Sequence, residues 1–392
     1  MLIKTPVERY DVGMKRYRSL FPVLKKFTFL NHAATAPVSL RVSKAVEDLC
    51  KSFTEYGGLH YSRWMNRVKE VRELAARLIN SKPGEIAFTG NTSEGLSIVA
   101  SGINWQPGDV VLVSYPDFPA NIYPWLNLKR LGVKVIYIKR KENGVFKVDD
   151  IEKLITNRVR LISVSSVDFS TGFLCDLASL GKLCKEEGIL LCVDAIQSLG
   201  VIPMDVKEWG IDFLAAGAHK WLQSIPGTGL LYVSEKIVER LAHSKVGWKT
   251  VEDEEDFSIH FVPKQNSEKF EPGTMNIAGI YALGAALELV FDIGIENIRN
   301  RIFSLNDLLF RELTKRNLTV VSPMEAGSRS GILSFSASGN NERLYRYLVE
   351  NNIIVSLRSE RIRVSPHFYN TEEDLGNLLF VIDKYTSGTE LQ

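Results

Sequence analysis

The chain has 392 residues, 24% of them charged and 45% hydrophobic, with a formal net charge of +2. That mixture supplies two or three units of folding and a large core, which excludes disorder over most of the length. The balance of 48 Lys and Arg against 46 Asp and Glu argues against a dedicated nucleic-acid binder, and the longest basic run is Lys139-Arg140-Lys141. At the N-terminus, Met1–Leu24 is interrupted by Lys4, Glu8, Arg9, Asp11, Lys15, Arg16 and Arg18. No stretch of about 7–15 apolar residues is left there for a signal peptide. Nor does any window reach the roughly 18 apolar residues of a membrane span. The expectation is a cytoplasmic protein with neither membrane nor nucleic acid as partner. Four cysteines, Cys50, Cys175, Cys184 and Cys192, are too irregularly spaced for a disulfide framework and form no CxxC pair, so no metal site is expected. They read as buried small hydrophobes in a reducing compartment.

From about residue 84 short apolar runs alternate with amphipathic stretches. The runs are Glu85–Thr89, Val110–Ser114, Val133–Lys139, Leu161–Val167, Ile189–Asp194, Phe213–Gly217 and Gly229–Val233. Rich in Val, Ile and Leu and not strictly alternating, they read as strands covered on both faces. Helices are expected at Ser93–Ser101, after Asn91-Thr92, and at Asp176–Glu187, which opens on a capping Asp and stops before Gly188. Strand, helix, strand in series predicts parallel pairing through right-handed crossovers, an α/β sheet. After Asn276 the order changes. Ile277–Leu313 reads as long helix broken at Gly294. Gly331–Ser336 and Ile353–Ser356 read as strands flanking a helix Glu342–Glu350, with a further strand at Ile362–Ser365. This α+β order predicts a smaller C-terminal domain. The acidic cluster Glu252–Asp256 reads as a solvated loop.

Chemistry gathers at two strand ends. The run Leu190–Asp194 delivers a carboxylate at its C-terminal end, the edge where parallel sheets bind ligands. Capping of the following turn is the plainer role for Asp194. The next run, Phe213–Gly217, leads into Ala218-His219-Lys220-Trp221. A Lys inside an apolar segment is desolvated there, which favours the neutral amine that attacks a carbonyl; the alternative is a Lys that snorkels to the surface. Together, Asp194 and Lys220 match what pyridoxal phosphate requires: a Schiff-base Lys and an acid beside the ring nitrogen. Gly90-Asn91-Thr92-Ser93-Glu94-Gly95, between a strand and a helix, offers backbone N–H groups and hydroxyls to a phosphate.

On these segments, and on those from Phe29-Leu30-Asn31-His32-Ala33-Ala34 to Tyr369-Asn370-Thr371-Glu372-Glu373, the chain resembles the class V aminotransferase family of fold-type I pyridoxal-phosphate enzymes. That family includes cysteine desulfurases, kynureninases and isopenicillin N epimerases. The resemblance implies a large cofactor-binding domain over 28–287 and a smaller domain formed by 1–27 and 288–392. It implies Lys220 as the Schiff-base lysine, Asp194 as partner of the pyridinium nitrogen and Gln197 as donor to the phenolic oxygen. Thr92, Ser93 and His219, with the backbone of Ala218, would hold the phosphate. Phe118 would cover the cofactor face, where desulfurases carry His. Phe270–Asn276 resembles the segment whose Thr, here Thr274, reaches the neighbouring subunit's phosphate in a homodimer. Arg363 corresponds to the Arg that holds the substrate carboxylate, with Arg361 at the surface.

Departures qualify the resemblance. Seven residues, Ser356–Ile362, separate Val355 from Arg363, and none is the Cys that desulfurases carry on a loop there. Ser166 replaces the family's Asn, which weakens the second carboxylate contact, and Val167–Gly172 is two residues longer than in desulfurases. The implied activity acts at Cα of an amino acid, most simply as a transaminase. The alternatives are a side-chain-cleaving lyase or hydrolase, an epimerase and, more remotely, a non-catalytic binding module. A nicotinamide Rossmann fold is disfavoured because Gly227-Thr228-Gly229 is followed by no third glycine of GxGxxG.

Overall fold

The computed structural model describes residues 16–388 apart from 244 and 258. Residues 1–15 of the expected N-terminal segment lie outside the described residues. In chain order the strands are β1 (Thr28–Phe29), β2 (Ile86–Thr89), β3 (Val110–Tyr115), β4 (Lys134–Lys139), β5 (Val159–Ser165), β6 (Leu190–Asp194), β7 (Phe213–Gly217) and β8 (Gly229–Val233). A C-terminal set follows: β9 (Thr319–Val320), β10 (Leu333–Ser336), β11 (Ile353–Ile354), β12 (Ser356–Arg358) and β13 (Arg361–Val364).

All seven apolar runs become strands of one sheet, ordered β2-β8-β7-β6-β5-β3-β4. The expected parallel pairing holds except at β8, which runs antiparallel to both β2 and β7. Every residue of β2, β6 except Leu190, β7 and β8 is buried, as continuous apolar runs require. The edge strand β4 carries exposed Lys134 and Lys139 at its ends, which blunts further pairing. The strand order reverses between parallel β3 and β5, so their carboxyl ends flank the crevice where open α/β sheets bind ligands.

The helix Thr92–Gly102 brings its N-terminus to that crevice. Its cap is Asn91, whose Oδ1 accepts from Glu94 N at 2.9 Å. Its close approach to β7 depends on Gly95: a Cβ there would stand 2.9 Å from Ala215 Cβ. The helix Leu177–Glu187 is capped by Asp176 and ends at Gly188, whose φ of +66° is the left-handed conformation glycine adopts freely. The long C-terminal helix breaks where expected, into Ile277–Ile293 and Ile295–Lys315 around Gly294. A domain boundary at 287/288 would fall inside the first of these helices.

The second sheet, β12-β13-β10-β9, is antiparallel and covers its own core of Leu305, Leu309, Phe335, Leu348, Ile362 and Leu378. It docks on the loop after β5. Ser334 Oγ donates to Ser170 O and Ser322 Oγ to Thr171 O, each at 2.5 Å, and a Cβ on Gly172 would stand 2.6 Å from Ile332 O. That docking sets β13 beside the crevice.

Substituting Gly95→Val tests the helix–sheet contact. A β-branched side chain at a 2.9 Å approach forces the helix away from β7 and should lower unfolding free energy by about 1–3 kcal/mol. Chemical denaturation measures it, and an unchanged midpoint would show that the contact is not close.

Candidate active site

A cavity of about 160 Å³ opens at the carboxyl ends of β3, β5, β6 and β7. Seven of the nine expected site residues line it: Thr92, Ser93, Phe118, Asp194, Gln197, His219 and Lys220. Arg363 and Thr274 do not. Arg363 lies buried behind Phe169, a lining residue, and Thr274 is exposed on the surface.

Asp194 ends β6, and its Oδ1 accepts from Ile196 N at 3.0 Å. Burial in the centre of the sheet, with like charge from Asp117, pushes its carboxyl up to about 7 against the pull of Lys220. Lys220 follows β7 and is pulled down to about 8, chiefly by burial and further by Arg363 and Arg358, while Asp194 holds it up. The lysine amine is thus available in its neutral, nucleophilic form just above neutrality. Its Nζ stands 5.7 Å from the centroid of the Phe118 ring, across the cavity mouth.

The phosphate side is built by the N-terminus of Thr92–Gly102. Thr92 Oγ1 accepts from Gly217 N at 2.8 Å, which leaves its hydroxyl proton free to donate. The Ala218 amide donates to Thr228 O at 2.9 Å. Its N–H is therefore spent within the sheet, and the expected backbone contribution of Ala218 to an anion is corrected. Burial and the neighbouring Lys220 lower His219, which favours the neutral ring with a single N–H donor.

Gln197 is held from two sides. Its Nε2 donates to Ala33 O at 3.0 Å and its Oε1 accepts from Trp221 Nε1 at 2.9 Å. One amide proton remains for a group in the cavity. Beneath it Trp221 packs on two fully buried histidines, His32 and His367, with ring centroids 6.2 and 5.8 Å away. Desolvation drives both histidines down, His32 to about 4, so they stay neutral. His32 bonds through Nδ1 to Ser365 O at 2.8 Å and through Nε2 to the Tyr369 hydroxyl. The two terminal family segments therefore meet under Gln197.

Sequence reasoning missed a second support. Arg140, from the basic run, turns inward with its side chain 1% exposed, between the buried carboxylates of Asp117 and Asp168. Asp117 also accepts from Phe118 N at 2.7 Å and from Ser165 Oγ at 2.8 Å. Asp168 accepts from Thr171 N at 2.6 Å and Ser170 N at 3.0 Å, shaping the loop that carries Phe169. The Phe118 and Phe169 rings meet edge to face at 5.5 Å. One guanidinium thereby positions both aromatic walls. Apolar alternation on β4 was the available signal, since Ile138 and Arg140 lie in step along an extended chain.

Arg363 Nη1 donates to Phe169 O at 2.6 Å and Nε to Ser356 Oγ at 3.1 Å, while Nη2 is buried with no partner. Desolvation and the nearby Arg358 pull the guanidinium down to about 9. A buried cation with an unmet donor is completed by an anion such as a carboxylate. Ser166 Oγ, by contrast, donates to Asp194 O at 3.0 Å and pairs with Ser198 Oγ at 2.7 Å, so it braces β6 and lies outside the cavity wall. Three side readings are corrected in part. Cys50 is exposed, whereas Cys175, Cys184 and Cys192 are buried and their thiols pushed up by burial, Cys175 and Cys184 to about 12. Arg361 is partly buried against Glu142 at 2.9 Å, and in the acidic cluster Glu254 is ion-paired with Lys249 and Lys264.

The donor set suits pyridoxal phosphate: a desolvated amine, a buried carboxyl across from it, an aromatic face, a helix N-terminus with free hydroxyl donors, and an unmet guanidinium for the substrate. Comparison with known proteins agrees. The model of the family "Aminotransferase class-V" matches residues 28–378. A probable cysteine desulfurase of Methanothermobacter thermautotrophicus is 31% identical over 378 residues, covering 90% of this chain and 93% of that protein. The apo cysteine desulfurase of Thermococcus onnurineus NA1 superposes with a TM-score of 0.88 at 26% identity, covering 99% of each chain. C-DES with glycine covalently linked to its PLP cofactor shares the fold, at TM-score 0.87 and 22% identity, over 93% of this chain and 98% of that one.

The charge pair yields two expectations. Cofactor attachment to the apo protein needs the neutral Lys220 amine, so its rate should rise through about pH 8 and level off above; in Asp194→Asn, which removes the carboxylate that holds Lys220 up, the midpoint should move down. Stopped-flow absorbance reads both, and a midpoint near 10 would place Lys220 in water. Because folding raises the Asp194 carboxyl, its protonated form is favoured in the fold, and stability falls as pH climbs from about 4 to 7. Apo Asp194→Asn should therefore match wild type near pH 4 and exceed it at pH 8, by on the order of 1 kcal/mol. Thermal denaturation at the two pH values measures the difference.

Proposed function

From the chain's membership of the class V aminotransferase family of pyridoxal-phosphate-dependent enzymes, we propose that it cleaves the side chain of an amino acid by elimination at Cβ, releasing the leaving group free and not onto a protein thiol. The carrying observation is a cavity with no cysteine in its lining, on a fold shared with a cysteine desulfurase. The kinship with a probable cysteine desulfurase supports Cβ–sulfur cleavage. Moving sulfur onto a protein requires a thiolate at the cavity mouth. Where a loop would carry it, β12 and β13 are joined by Ser359 and Glu360 alone, both in the left-handed region at φ +46° and +60°.

Bound in the cavity, the cofactor supplies an electron sink for the bond broken at Cα. Asp194 holds the proton at its ring nitrogen, Phe118 covers one face, and Thr92, Ser93 and His219 take the phosphate. The free amide proton of Gln197 meets the phenolic oxygen. Arg363 receives the substrate carboxylate through Nη2, which fixes the direction of the Cα–H bond. The Lys220 amine is the base that takes that proton. The Cα–H and Cβ–X bonds break, X leaves with its electron pair, and hydrolysis returns pyruvate and ammonia without any external oxidant or reductant. Phe118, which carries no proton, leaves this transfer to Lys220. Transamination is the second reading, favoured by the family's description; it uses the same first proton transfer.

The protein acts in this proposal as a homodimer. Exposed Thr274 follows Gly273, where a Cβ would stand 3.9 Å from Trp248 Nε1, and Trp248 lines one surface with the exposed Phe257, Ile259, Phe261 and Val262; a second copy seated there would bring Thr274 to the neighbouring phosphate.

Incubation of the holoenzyme with cysteine and other β-substituted alanines, followed by product analysis, tests the reaction. Stoichiometric pyruvate, ammonia and leaving group are expected; alanine with a persulfide on Cys50 would contradict it, and a 2-oxo acid retaining the side chain would select transamination. For the dimer, Lys220→Ala and Thr274→Ala proteins should each be weakly active at limiting cofactor. Mixed, they should regain activity from the heterodimer's one intact site, whereas no gain would remove the shared site.

A further inference from the structure

The hairpin β12–β13 carries a second arginine that the reaction outlined above does not use. Its register pairs Ser356 with Arg363 and Arg358 with Arg361. Strand side chains alternate with period two, so these four residues project from one face. The Arg363 Nε bond to Ser356 Oγ identifies that face as the one turned toward Phe169 and the cavity. Of the three hairpin arginines, Arg363 is buried with one unmet donor and Arg361 is neutralised by Glu142. Arg358 is exposed, and its Nη1 donates to Leu357 O, its own backbone neighbour, at 2.8 Å. Among the described residues it makes no ion pair with a carboxylate.

The turn is held over the site. Ser170 Oγ donates to Ser359 Oγ at 3.0 Å, and Ser170 adjoins Phe169 in the cavity wall. The positive charge of Arg358 is felt at both Lys220 and Arg363, lowering each. A protein gains nothing for its Schiff-base lysine or its carboxylate fork from an uncompensated third cation nearby. An anion arriving from outside supplies the compensation.

We propose that Arg358 is the receptor for a second anionic group, an oxyanion at the far end of the substrate's side chain, so that the preferred substrates are amino acids whose side chain ends in a carboxylate or a comparable oxyanion. This rests on the function proposed above and names its substrate class. Arg363 then holds the α-carboxylate and Arg358 the distal group, with the reacting carbons between them over Lys220. An oxyanion on the departing group is stabilised there as it leaves.

The test compares acids with their neutral isosteres, glutamate with glutamine and aspartate with asparagine, titrated into holoenzyme while the visible absorbance of the bound cofactor is followed at equilibrium. Wild type should bind an acid more tightly than its amide. In Arg358→Gln the affinity for the acids should fall about 10–100-fold while that for the amides is unchanged, and Arg358→Lys should recover part of the loss. Thermal denaturation of apo protein with succinate against butyramide gives a readout free of the cofactor: succinate should stabilise wild type and not Arg358→Gln. Equal losses for acids and amides, or a wild-type preference for the amides, would overturn the role of Arg358 and leave the proposed function standing. No response to any amino acid would overturn both.

Discussion

The structure turns on the cost of burying Asp194 and Lys220 at neighbouring strand ends with little water. Each is driven toward its neutral form by desolvation, and each is partly held charged by the other. An isolated pair of this kind would be a liability to stability. Here it sits at the carboxyl edge of a sheet whose strands are buried on both faces, so the surroundings cannot relax to admit water. A ligand that brings a protonated ring nitrogen and a carbonyl satisfies both groups at once, and the site is arranged to receive one.

The remaining supports keep that pair in register. Gly95 lets the helix Thr92–Gly102 close onto β7, which places Thr92 against Gly217, three residues before Lys220. Trp221, immediately after Lys220, locks Gln197 and rests on neutral His32 and His367, which join the first and last matched segments. Arg140 neutralises two buried aspartates and holds the loops bearing Phe118 and Phe169. Through Phe169 O the same loop reaches Arg363. Cofactor face and substrate fork are thus tied by a continuous chain of charge-assisted bonds, which are stronger and more directional than neutral ones.

Most of this was legible in the sequence because burial on both faces writes itself as unbroken apolar runs. All seven large-sheet strands were located, and a charge at the end of such a run, as at Asp194 and Lys220, stood out for the same reason. What escaped depended on tertiary context. Antiparallel β8 is as apolar as its parallel neighbours, so composition carries no direction. Arg140 sits between Lys139 and Lys141 and reads as surface charge until extended geometry turns it inward. The Ala218 amide was claimed by Thr228, a pairing that only the sheet register reveals. Ser166, expected as a weakened second contact to the carboxylate, instead braces β6, because the strand ends two residues before its apolar run does.

The central claim is that this edge of the sheet holds pyridoxal phosphate through Lys220, and reductive trapping addresses it directly. Purified holoenzyme is treated with borohydride, digested, and the modified peptide identified by mass spectrometry. The account predicts one pyridoxyl group per chain, on Lys220 and with near-complete occupancy. Label on another lysine, or Lys220 unmodified in protein that has kept its cofactor, would contradict it.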